Sequence, residues 1–189
     1  MALPANRKHL IRVPRGHARE AASFLAQMDD QSRRMLDDLK RVRPAELAWQ
    51  PRPGMNSMGM LLAHIAIVEV YWLLIADERM THDAVRKVLG IGVDDDGMPL
   101  PPGRRPPAAL RGKTLAFYRA LLGRARAFAK RTARWPDADL DRVVTRRRRD
   151  GMRSKHNVRW ILYHVLEHEA GHYGQILLLR HLYGDRSKP

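Results

Sequence analysis

The sequence contains no cysteine. That excludes disulfides, thiolate metal sites and a cysteine nucleophile, and it fits a reducing compartment. There is also no Gly-rich phosphate loop and no G-x-S-x-G elbow. Neither a backbone phosphate cradle nor a nucleophile-elbow hydrolase is therefore encoded. The stretch from Met1 to Val13 carries Arg7, Lys8 and Arg12 but no apolar core. No secretory signal is expected, and the expected location is the cytoplasm. Lysine is scarce, at seven of the 35 basic residues.

What is present suits one well-buried domain over residues 1–189, with 44% hydrophobic residues. The formal net charge of +15 implies non-specific attraction to polyanions. The charge is spread along the chain, with one concentrated run at Arg146-Arg147-Arg148-Arg149. A dedicated nucleic-acid binder needs one basic face and a reading element, so specific nucleic-acid binding is not expected. The Arg run reads as a solvated edge.

Four long helices are legible. Phe24, Leu25, Met28, Met35, Leu36 and Leu39 recur at helical spacing and predict a helix from about His17 to Arg41, with Pro44 just beyond. Asn56 or Ser57 caps a second helix, Met58 to Ala76, which is apolar except for Gly59, His64 and Glu69. About 20 apolar residues can cross a bilayer, but two ionisable residues inside a span are costly and no second such segment exists. The segment reads as the central helix of a soluble bundle, and no membrane association is expected. Residues 90–107 are a Gly/Pro loop carrying Asp94-Asp95-Asp96, which lacks the pattern of an EF-hand. A short helix around Asp83 to Val88 precedes it. A third helix spans about Ala108 to Thr132, with Leu110, Thr114, Tyr118, Leu121, Leu122, Ala125 and Phe128 on one face. Residues 142–156 read as a loop with a short hairpin at Asp150-Gly151. Asn157 caps a fourth helix running to about Tyr183, with Gly184 as its stop. The expected class is all-α, a four-helix bundle with long connections.

The chemistry sits in the histidines. His168-Glu169-Ala170-Gly171-His172 places two imidazoles at i and i+4, on one helix face with Cβ atoms about 5–6 Å apart. A zinc-peptidase reading needs further ligands downstream. Gln175 and Leu178 stand where the extended motif wants Gly and His, and Glu169 is the last Glu of the chain. The remaining ligand must come from upstream, and His64 is the only His of the apolar second helix. Burying an imidazole there demands a partner, and facing helices of a bundle build metal sites from such side chains. His64, His168 and His172 are therefore the candidate ligands of one metal ion. Open positions on a tris-histidine centre favour an anion. A fourth ligand such as His164 would indicate a structural metal, whereas open positions beside a pocket would indicate chemistry. His164 is expected to support a ligand or line the pocket. Glu169 is expected in a supporting or interhelical role, and Glu69 is expected to orient a ligand imidazole. Tyr71 and Trp72 either wall the pocket or pack in the core.

The segments Ser57-Met58-Gly59-Met60-Leu61-Leu62-Ala63-His64 with Tyr71-Trp72, and Val158 through Gln175, resemble the DinB/YfiT-like superfamily over essentially the whole chain. The resemblance implies a four-helix bundle binding a divalent metal, nickel or zinc, through positions matching His64, His168 and His172. Members of known activity are metal-dependent thiol transferases and isomerases that use mycothiol or bacillithiol. A low-molecular-weight thiol, a small-molecule substrate and a homodimer are implied in the same way. The alternatives are metal-dependent hydrolysis of a small substrate and a non-catalytic, stress-related metal-binding role. The +15 charge and the run from Arg146 to Arg149 depart from the thiol-using members.

Overall fold

In a computed structural model the chain is mostly helical. The structure describes residues 11, 13, 18–102, 104–132, 134–147 and 151–186. The helices are α1 (Arg19–Asp38), α2 (Pro44–Ala48), α3 (Met58–Ala76), α4 (His82–Leu89), α5 (Leu115–Thr132) and α6 (Val158–Asp185). A two-stranded antiparallel hairpin, β1 (Val143–Arg147) and β2 (Arg153–Asn157), precedes α6.

Helix α3 lies between α5 and α6, and α1 packs against both of those. It is long and apolar enough to cross a membrane, yet 83% of its most apolar window is buried in the protein. Ser57 starts it, accepting from the Met60 N–H at 3.3 Å. Gly59 lets α5 approach: a Cβ there would lie 2.4 Å from the Tyr118 hydroxyl. A mid-helix glycine costs roughly 1 kcal/mol against alanine, and the buried Tyr118 ring explains its use. Along α3 every residue is buried except His64, Val68 and Tyr71. These fall at i, i+4 and i+7, one stripe of the helix, and that stripe faces the site described below.

Several boundaries differ from the sequence expectations. Helix α1 ends at Asp38 rather than Arg41, and His17 lies outside the described residues. The expected third helix is divided: Ala108–Leu110 is a 3₁₀ turn, Gly112 has φ +64°, and α5 starts at Leu115. Helix α6 begins at the Asn157 cap, whose side chain accepts from Trp160 N–H at 2.9 Å. It then runs through Gly184 to Asp185. The expected Asp150-Gly151 turn includes Asp150, which lies outside the described residues, as do Arg148 and Arg149. The described pairs run from Val143↔Asn157 to Arg147↔Arg153.

A buried ion network ties the long helices together. Arg126 of α5 donates to Glu69 of α3 at 2.8 and 3.3 Å, to Glu169 of α6 at 3.2 Å, and to Ser32 and Asp29 of α1 at 3.3 Å each. Ser32 donates in turn to Glu169. Glu169 thus has the interhelical role expected of it. Glu69 does not orient a ligand histidine. At five residues from His64 it points about 140° away around the helix, toward Arg126 of α5.

Candidate metal centre

The open stripe of α3 and the i, i+4 pair of α6 meet. His168 Nε2 lies 3.1 Å from His64 Nε2 and 3.0 Å from His172 Nε2. Among the described residues these three form the group able to hold a metal, with all ligand atoms within 4.8 Å of one another. All three are half-buried.

The outer ring nitrogens show why the inner ones are free to ligate. His64 Nδ1 lies 2.7 Å from Asp96 Oδ2. A carboxylate only accepts, so Nδ1 carries the proton and Nε2 is the ring atom left to face the other histidines. His172 Nδ1 donates to Gln175 Oε1 at 2.8 Å, with the same consequence for its Nε2. Burial, then the neighbouring His172 and His64, push the His168 imidazole down to about 3. His172 is likewise lowered, mainly by burial. Three imidazole nitrogens thus face one another at hydrogen-bond distance. Nitrogens each about 2.0–2.1 Å from one ion would lie roughly 3.0–3.4 Å apart. The donor set and the two observed separations therefore fit a divalent cation.

Asp96 is the supporting residue that the sequence reading missed. It comes from the Gly/Pro loop, is 2% exposed, and is itself held by the Met98 N–H on Oδ1 at 3.0 Å. A ligating histidine backed by a carboxylate is a recurring arrangement that fixes the tautomer and raises ligand basicity. Asp96→Asn is expected to weaken zinc binding about 10–100-fold with the helical circular dichroism unchanged. Chelator competition measures this, and wild-type affinity in the variant would remove Asp96 from the centre. Gln175, noted in the sequence only for blocking the peptidase motif, orients His172 from three residues away.

His164 stands apart from the cluster. Its ring stacks on Trp160 at 4.7 Å and 8°, and its Nδ1 pairs with Glu167 at 3.1 Å. Its ring centroid is 5.7 Å from that of His168.

Two cavities meet at His64. One, of ≈ 600 Å³, runs toward the C-terminal end of α3 past Val68, Tyr71 and Trp72 to Arg146 and Arg147. The other, of ≈ 640 Å³, runs toward the N-terminal end past Leu61, Met55, Leu100 and Leu178. Tyr71 and Trp72 therefore do wall a pocket. Arg146 corrects the reading of the Arg run as a solvated edge. It is half-buried, with its guanidinium carbon 4.9 Å from the Trp72 ring centroid and 5.3 Å from that of Tyr71. Strand β1 packs beside α3 and delivers it there.

A family model described as the DinB superfamily matches residues 27–176, a span that includes all three histidines and Asp96. No curated protein matches the chain.

Proposed function

This chain belongs to the DinB superfamily, and from that premise we propose that it is a divalent-metal-dependent enzyme, a thiol S-transferase or isomerase acting on a small electrophile. In this reading α1, α3, α5 and α6 form a four-helix bundle, and His64, His168 and His172 hold nickel or zinc. The observation that carries it is the openness of the centre. Structural zinc sites are closed by four protein ligands, whereas catalytic sites keep a position free. Here the fourth histidine, His164, is committed to Trp160 and Glu167, and two cavities open on His64. Two cavities suit two reactants.

A bound divalent cation would supply Lewis acidity and favour the thiolate form of a low-molecular-weight thiol. The thiol must be external, since the chain has no cysteine. Asp96 and Gln175 hold the inner nitrogens of His64 and His172 as acceptors. Tyr71 and Trp72 line the cavity that opens on His64. In a transfer, the sulfur–carbon bond forms as the bond from carbon to the leaving group breaks, and the thiol proton leaves with that group.

Metal-loaded protein is expected to form conjugates when mycothiol, bacillithiol or glutathione is offered with a panel of electrophiles, and to lose that activity in His172→Ala. No conjugate with any of the three thiols would overturn the thiol reading. Thiol-independent ester hydrolysis that requires the metal would establish the hydrolase alternative.

A further inference from the structure

The cavity between His64 and Arg146 has a distinct charge pattern. At one end is His64, which meets His168 and His172, with a single buried carboxylate, Asp96, so a divalent cation held there would keep a net positive charge. At the other end are Arg146 and Arg147. Between them the wall is Val68, Tyr71 and Trp72, apolar and aromatic. The acidic side chain at this cavity besides Asp96 is Asp94, which stands exposed.

Arg146 is built into its place. Its guanidinium sits in the corner formed by Tyr71 and Trp72, whose rings meet at 84°. Nε donates to the Tyr71 hydroxyl at 3.3 Å, and among the described residues that is its side-chain hydrogen bond. A guanidinium fixed by its Nε edge and stacked on aromatic faces is pre-organised to offer its outer N–H groups as a fork to a carboxylate. Stacking also lowers the ordering cost that a free arginine would incur on binding.

We propose that Arg146 is the anchor of an anion subsite, and that the centre takes a small acid whose carboxylate docks on Arg146 while its other end reaches His64. This rests on the metal-centre reading above, and it adds a ligand class and a length. Trp72 is eight residues beyond His64 on the same helix, a rise of on the order of 12 Å at about 1.5 Å per residue. Positive charge at both ends and the apolar wall between them select a ligand that is anionic at both ends with an apolar middle, with a chain long enough to follow α3 from His64 to Trp72.

The test uses a ruler. Wild type, Arg146→Gln, Arg146→Lys and Arg147→Gln are titrated with ω-mercaptooctanoate, its primary amide, and the shorter β-mercaptopropionate with its amide. Binding is followed by tryptophan fluorescence and by calorimetry, with and without zinc. Wild type is expected to prefer the long acid over its amide by about tenfold, the yield of a charge-assisted hydrogen bond, and to show no such preference for the short pair. Arg146→Gln is expected to lose the preference. Arg146→Lys keeps the charge and the fold but loses the fork, and is expected to retain part of it. Equal affinity of wild type for the long acid and its amide overturns the subsite, as does a preference that survives in Arg146→Gln. A preference lost only in Arg147→Gln overturns it in favour of the strand's outer arginine. The two levels separate cleanly. If zinc leaves the affinity of both thiols unchanged, the metal-centre reading fails, while the acid-to-amide ratio still reports on Arg146.

Discussion

Replacing His168 with alanine is expected to abolish stoichiometric metal binding. His168 is the middle member of the cluster, with its Nε2 about 3 Å from those of both His64 and His172. Its loss leaves two imidazoles, with a gap where the shared ligand stood. Removing an outer partner of a metal ligand costs roughly 10–100-fold in affinity, and removing a ligand is expected to exceed that. The consequence is visible without an activity assay. At free zinc about 100 times the dissociation constant, wild type gains about 2.7 kcal/mol of stability, which for a domain of this size is on the order of 5–10 °C in Tm. The variant is expected to show no zinc-dependent shift and less than a tenth of a metal ion per chain by elemental analysis. Its metal-free fold is expected to be intact, because the side chain faces the open centre and not the packed core. One metal per chain retained in His168→Ala, or an equal zinc shift, would sink the tris-histidine assignment. His64→Ala is expected to behave alike, because it removes the one ligand that α3 contributes.

The three histidines were legible because helical periodicity is regular. An i, i+4 pair shares a face by geometry alone, and one imidazole in a helix as apolar as α3 calls for a partner. The residues supporting them were not legible, for the opposite reason. Asp96 reaches His64 from 32 residues away, through a Gly/Pro loop with no periodic path. In the sequence it is one of three consecutive aspartates, and nothing local shows that this one turns inward. Arg146 is hidden in a similar way. In a run of four arginines only the pairing of β1 with β2 decides which one faces Trp72.

Ambiguous punctuation accounts for the remaining differences. Pro44 reads as the stop after α1, but it also occupies the first turn of α2, where a missing N–H costs nothing. Glu46 completes that start by accepting from the Arg43 N–H at 3.2 Å. Gly184 reads as a C-terminal stop, yet α6 passes through it, since a single glycine lowers helix stability by only about 1 kcal/mol. Charge at a helix crossing was the least visible feature. In the sequence Glu69 reads as a support for the histidines, because a ligating imidazole donates its other N–H to an acceptor. Its partner Arg126 lies one position off the apolar stripe of α5, and sequence periodicity does not reveal which charges pair in the interior.

That pairing yields a second large effect. Arg126→Met is expected to destabilise the protein by about 3–5 kcal/mol, the cost of leaving a buried ion pair with one partner removed. Arg126, Glu69 and Glu169 are 8%, 1% and 1% exposed, so the stranded carboxylates have little water to turn to. At roughly 2–4 °C per kcal/mol the loss is on the order of 10 °C in Tm. The effect is also expected to depend on pH, with a definite sign. Burial pushes the Glu169 carboxyl up to about 7, against the opposing pull of Arg126 and Ser32. A raised folded-state value means that the folded chain holds this proton more tightly than the unfolded one. The associated stability is complete below the ordinary carboxylate range and is lost as pH rises through about 7. Without Arg126 the Glu169 carboxyl loses the attraction that holds it down and is raised further, so the stability of the variant falls more steeply. Its deficit against wild type is expected to widen between about pH 5 and pH 8. Urea unfolding of both chains at the two pH values measures this. A deficit below about 1 kcal/mol, the scale of an exposed ion pair, would show that the network is not buried as described. Replacing the three buried charges together by apolar residues, Arg126→Met with Glu69→Leu and Glu169→Leu, is expected to recover most of the loss, because no buried charge is then stranded. Failure of that recovery would assign the network a role in setting how the four helices seat on one another, beyond the cost of an uncompensated charge.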